Sequence, residues 1–99
     1  MYKNIEHNVS AWTNNNWIEL VAHLCNNGIE CDRLESYDND FDGIDVHYNC
    51  IDSKNRIVIS VGDICFAYFW EINGEVKFST FHFFTDENMN KVVNIIKEL

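Results

Sequence analysis

Apolar side chains recur at two different spacings along this chain, and the switch between them divides it into helices and strands. Trp17, Leu20, Val21, Leu24 and Cys25 stand three or four residues apart, so one face of a helix over residues 14–27 is apolar. Asn14 or Asn15 is available as its N-cap, and Gly28 is placed to end it in a left-handed turn. Upstream, Tyr2, Ile5, Val9 and Trp12 partly share the spacing and suggest a short irregular helix. Residues 29–34 read as a short strand or a loop. From Ile44 the period becomes two: Ile44, Val46, Tyr48 and Cys50 alternate with Asp45, His47 and Asn49, the pattern of a half-buried strand. Three more strands are predicted at 56–61, 64–72 and 75–84. The chain closes with Thr85 as N-cap, Asp86 and Glu87 in the first turn, and Met89, Val92, Val93, Ile96 and Leu99 on one helical stripe.

The connections between strands predict their registers. Residues 52–55 suit a four-residue loop, Gly62-Asp63 a type II′ turn and Asn73-Gly74 a type I′ turn. Pairing Ile51 with Arg56, Val61 with Ile64 and Ile72 with Glu75 places Ile44, Val46, Tyr48, Cys50, Ile57, Ile59, Val61, Ile64, Phe66, Tyr68, Trp70, Ile72, Phe81 and Phe83 on one face. That face is the expected core. The predicted fold is α+β: a four-stranded antiparallel β-meander with an N-terminal and a C-terminal helix packed on one face, as a single domain over residues 1–99.

The same registers expose a second face. Val58, Phe69 and Phe78, joined by Val76 and Phe84, form an apolar stripe among polar neighbours, and helices on one side alone leave it to water, to the chain's own segments or to a partner. Val58, Phe69 and Phe78 are therefore a candidate second interface, with a homodimer as one use of it.

Charge narrows the choice of partners. Seven of the sixteen acids, Glu30, Asp32, Glu35, Asp38, Asp40, Asp42 and Asp45, lie within residues 30–45 beside one base, Arg33. With seven Lys and Arg in the whole chain and a net charge of −9, direct binding to DNA, RNA or anionic lipid is disfavoured, since each phosphate contact calls for a cation. A basic protein fits better. No apolar run reaches the roughly 20 residues of a membrane helix. Cys25, Cys31, Cys50 and Cys65 show no C-x-x-C spacing, and the start Met-Tyr-Lys-Asn-Ile-Glu has no apolar signal core. Free thiols and a cytoplasmic location are expected.

Three residue sets bear on chemistry. Asp38, Asp40, Asp42 and Gly43 match the first half of a Ca²⁺-binding EF-hand loop, but the twelfth position is Asn49 where a bidentate Glu is needed, and a strand follows where a helix should. A solvated acidic loop is the plainer reading, with a Ca²⁺-binding module as the alternative. Cys65 and His82 become cross-strand neighbours on the outer face under the predicted registers, the minimum of a nucleophilic dyad, yet no oxyanion turn accompanies them. Cys25, Cys31 and His23 lack the spacing of zinc ligands. Neither a metal, a cofactor nor an enzymatic activity is predicted.

In type, a small, Pro-free, strongly acidic domain of this composition resembles stoichiometric inhibitors, such as phage anti-defence proteins of the anti-CRISPR kind and immunity proteins against nuclease toxins. That resemblance rests on composition and implies a non-catalytic inhibitor of a basic, nucleic-acid-handling protein or nuclease. The expected contact surface is Glu30, Asp32, Glu35, Tyr37, Asp38, Asp40, Phe41, Asp42 and Asp45, with the acids steering association and Tyr37 and Phe41 as anchors.

Overall fold

The computed structural model describes residues 11–38, 43–49 and 54–99. Its elements are helix α1 (Ala11–Asn26), a 3₁₀ turn (Cys31–Arg33), strands β1 (Leu34–Asp38), β2 (Ile44–Asn49), β3 (Arg56–Val61), β4 (Cys65–Ile72), β5 (Glu75–Phe78) and β6 (His82–Phe83), and helix α2 (Asp86–Glu98). The fold is α+β with an antiparallel sheet in the order β1-β2-β3-β4-β5, while β6 also pairs with β4. The expected four strands are thus too few. Residues 29–33, read as a short strand or a loop, precede the strand and include the 3₁₀ turn, whereas Leu34–Asp38 pairs with β2, and the predicted strand over 75–84 is broken in two.

Helix α1 begins at least by Ala11, ahead of the Asn14 and Asn15 expected to cap it. Its C-terminus follows the glycine rule. Gly28 has φ +87°, the Gly28 amide donates to the Cys25 carbonyl and the Ile29 amide to the Leu24 carbonyl, which is the paired bonding of a Schellman end. Leu24 and Ile29, the two apolar positions that this motif brings together, are both buried. Asn16 donates from Nδ2 to the Gly62 and Asp63 carbonyls, tying α1 to the β3–β4 connection. Helix α2 is capped as predicted, the Thr85 hydroxyl accepting from the Asn88 amide at 3.2 Å. Trp17, Leu20 and Leu24 from α1 and Met89, Val92, Val93 and Ile96 from α2 join the inward residues of β1 to β4 in one buried cluster, so both helices lie on the same side of the sheet. Between them His23 Nε2 lies 2.7 Å from Asn90 Oδ1.

The registers differ from expectation in an instructive way. Asn49, not Ile51, pairs with Arg56, and Val61 pairs with Phe66 instead of Ile64. Each shift is two residues, so side chains keep their predicted faces. The Gly62 amide donates to the Cys65 carbonyl at 3.0 Å, making Asp63 and Ile64 the turn. Gly62 is not among the residues with positive φ, which a type II′ turn would require there. Ile64, expected in the core, is therefore at a turn and 67% exposed. Asn73 and Gly74, at φ 53° and 83°, form the expected type I′ turn, and Ile72 pairs with Glu75.

Beyond β5 the shift is odd, and faces invert. Phe69 pairs with Phe78, but Phe66 pairs with His82 and Cys65 with Phe83. One extra residue between the two segments makes a bulge, held where the Ser79 amide donates to the Tyr68 carbonyl at 2.8 Å and the Ser79 hydroxyl accepts from the Tyr68 amide at 2.9 Å. Phe81 and Phe83, expected in the core, are 78% and 67% exposed. His82 turns inward instead and stacks on Tyr68 with ring centroids 5.8 Å apart. Phe84 packs partly buried against Phe66. Cys50, also assigned to the core, lies outside the described residues.

Candidate functional site

Of the predicted acidic surface, Glu35, Tyr37 and Asp45 lie on β1 and β2, and Glu30 and Asp32 on the segment before them. Leu34 and Ser36 of β1 are buried, so the alternation of a strand sends Glu35 and Tyr37 to the opposite face. There Glu35 pairs with His47 and Tyr37 with Asp45. The four side chains form a patch at one edge of the sheet: Tyr37 meets the His47 ring edge-on at 4.9 Å, and the Tyr37 hydroxyl donates to Glu35 Oε2. That hydrogen bond raises the Tyr37 phenol above its ordinary pKa. Burial holds His47 below the usual imidazole value, opposed by the charges of Asp45 and Glu35. Glu30 and Asp32 stand exposed on the turn leading into β1.

Arg33, the base of this segment, is shared between Tyr48, Asn49 and Glu30. Its guanidinium lies 4.9 Å over the Tyr48 ring and donates to the Asn49 carbonyl at 2.9 Å, with Glu30 Oε2 at 3.9 Å. Asp38 ends β1 beside Ile44 by register. Asp40, Phe41 and Asp42 lie outside the described residues, and with them most of the EF-hand-like stretch. Among the described residues no group of three or more His, Cys, Asp or Glu side chains is placed to hold a metal ion.

The second candidate interface divides. On the outer face, His47, Val58, Phe69 and Phe78 follow one another across four strands. Val58 is only 5% exposed, whereas Phe78 is 76% exposed and touches Phe69 with centroids 5.9 Å apart. The Arg56 guanidinium lies over the Phe69 ring at 5.3 Å and pairs with Glu71 at 3.2 Å. The outward apolar surface is therefore Phe78 with Val76, Phe81 and Phe83. Sequence reasoning missed the last two because it carried one strand straight through the bulge.

The Cys65 and His82 dyad does not form. With Cys65 opposite Phe83 and His82 opposite Phe66, the two side chains leave opposite faces of the sheet. The expectation of four free thiols also needs correction. Cys25 and Cys31 are joined as a disulfide, their Cα atoms 6.0 Å apart, because the Schellman turn at Gly28 folds the chain back beside the end of α1. Cys65 is free and half-buried. No described helix is long and apolar enough to cross a membrane. No protein-family model, curated protein or solved structure matches the chain.

Proposed function

We propose that the protein is a non-catalytic, acidic protein–protein inhibitor that binds and blocks a basic, nucleic-acid-handling partner, in the manner of an anti-defence or nuclease-immunity protein. The observation that supports this reading most is the patch on β1 and β2. Glu35 and Asp45 flank the exposed aromatic ring of Tyr37 on the outward side of β1 and β2, and Glu30 and Asp32 stand exposed on the segment that leads into β1. Carboxylates on a rigid strand edge can occupy a cleft built for phosphates, and the field of a chain at −9 speeds encounter with a cationic surface. The aromatic ring supplies the desolvated contact that slows dissociation.

The test begins by capturing the basic protein retained from a lysate of the native host and then measuring binding by stopped flow at increasing salt. Changing Glu30, Asp32 and Glu35 together to their amides slows association and flattens its salt dependence, whereas Tyr37→Ala mainly speeds dissociation. An association rate indifferent to the three amides removes the proposal.

A further inference from the structure

At the opposite edge of the sheet from the acids, β5 offers an unusual surface. All four of its residues, Glu75, Val76, Lys77 and Phe78, are exposed, and among the described residues no strand pairs with its outer side. The direction of its backbone groups follows from the hairpin. Ile72 and Glu75 close a two-residue turn, so they are a hydrogen-bonded pair, and bonding alternates from there. The Ser79 amide donating to Tyr68 confirms the phase. Odd-numbered residues face β4, while Val76 and Phe78 turn amide and carbonyl outward.

We propose that this edge joins a second copy of the chain: two β5 strands pair antiparallel about a two-fold axis through Val76, making one continuous sheet. The sequence Gly74-Glu75-Val76-Lys77-Phe78 is self-complementary in that register alone. Val76 meets Val76, the outward amide and carbonyl of each pairing with those of the other, and Phe78 lies across from Gly74, which has no side chain to obstruct it. Glu75 of each copy lies opposite Lys77 of the other as a non-hydrogen-bonded pair, where side chains stand closest. Registers centred on Glu75 or Lys77 set like charges against each other, which is destabilising. A register centred on Phe78 loses both ion pairs and runs into the bulge at Ser79. Within one chain Glu75 and Lys77 are 3.9 Å apart, so pairing turns two local contacts into a four-charge cluster. Because β1 is four strand spacings away, about 19 Å, the acidic patches stay apart in such a dimer. Pairing through β1 would press them together.

Sedimentation velocity of the full chain tests this, with far-ultraviolet circular dichroism to check folding. The wild type sediments as a dimer that dissociates on dilution. Val76→Pro removes one outward amide without touching the ladder to β4 and yields a folded monomer. Glu75→Lys and Lys77→Glu singly weaken the dimer about tenfold or more, and the two together restore it, which keeps the test decisive even if the proline variant does not fold. A wild type that is monomeric at every concentration overturns the proposal, as does a dimer that tolerates the single charge reversals or is not recovered by the double one. Binding of a basic partner at the β1 edge is unaffected by Val76→Pro, so the two proposals fail separately.

Discussion

The Tyr37 hydroxyl donates a 2.6 Å hydrogen bond to the Glu35 carboxylate, two residues away on the same outward side of β1. Ionising the phenol would replace that bond with repulsion between two anions, which is why the proton is held more tightly than usual. Glu35→Gln removes the charge. The expected outcome is a Tyr37 titration, followed by NMR of the ring protons, that moves down toward the ordinary value of about 10; no movement would show that the contact is not made in solution.

Stability should depend on pH through His47. Burial depresses its pKa below the free value of about 6.5, and the unfolded chain then binds the proton more readily than the folded one. Its contribution is complete above that free value and is lost as pH falls through the depressed folded value. Glu35, Asp45 and Tyr37 face the ring together with Arg56, and only the two carboxylates favour the charged form. His47→Gln should therefore lose less stability than the wild type in urea melts compared between pH 7 and pH 5. Equal losses would assign the acid sensitivity to other groups.

Trp17 is buried to 1% exposure, and its indole Nε1 has no hydrogen-bond acceptor among the described residues. Shape and polarity therefore pull in opposite directions at this position. Trp17→Ala empties the site and should cost about 3–5 kcal/mol. Trp17→Phe keeps a ring and relieves the orphaned donor, so its cost should stay near about 1–2 kcal/mol. Thermal melts of the two variants give the comparison, and similar losses in both would mean the donor is satisfied in solution.

The Cys25–Cys31 bridge closes a short loop, with a sequence separation of 6. Loop-closure entropy for that length predicts about 2 kcal/mol of stabilisation. Urea melts with and without reductant should differ by that amount in the wild type and coincide in a Cys25→Ser, Cys31→Ser double variant. Alkylation of native protein should leave both cysteines unmodified until reductant is added.

Much of this fold was legible because local chemistry speaks plainly at particular residues. Gly28 ends α1, Thr85 caps α2, and Asn73-Gly74 sets the β4–β5 hairpin, each through a conformational preference that needs no tertiary information. Faces survived two register errors because both were even shifts. What could not be read was non-local. Leu34–Asp38 carries Leu34 as its single large aliphatic residue, too weak a pattern to announce a strand, and it becomes β1 only because the edge of β2 is there to pair with it. The bulge after Phe78 left no mark in an apolar run where Phe78, Phe81, Phe83 and Phe84 fit either face.

The candidate site shows the same division. That acids crowd residues 30–45 is visible in the bare sequence. That Glu35, Tyr37, Asp45 and His47 share one face was not, since it depends on β1 existing. Cys65 and His82 fail as neighbours for the complementary reason: one residue of slip between β5 and β6 sends them to opposite sides.

That slip also limits how the molecule can vary. Along the segment following Phe78, a lone deletion would drive Phe81 and Phe83 beneath the helices and expel His82 and Phe84, whereas removing two residues would leave every orientation unchanged. Length changes in this part of the chain are therefore expected to be tolerated in even steps, with odd ones forcing the interior to be rebuilt around a different set of rings.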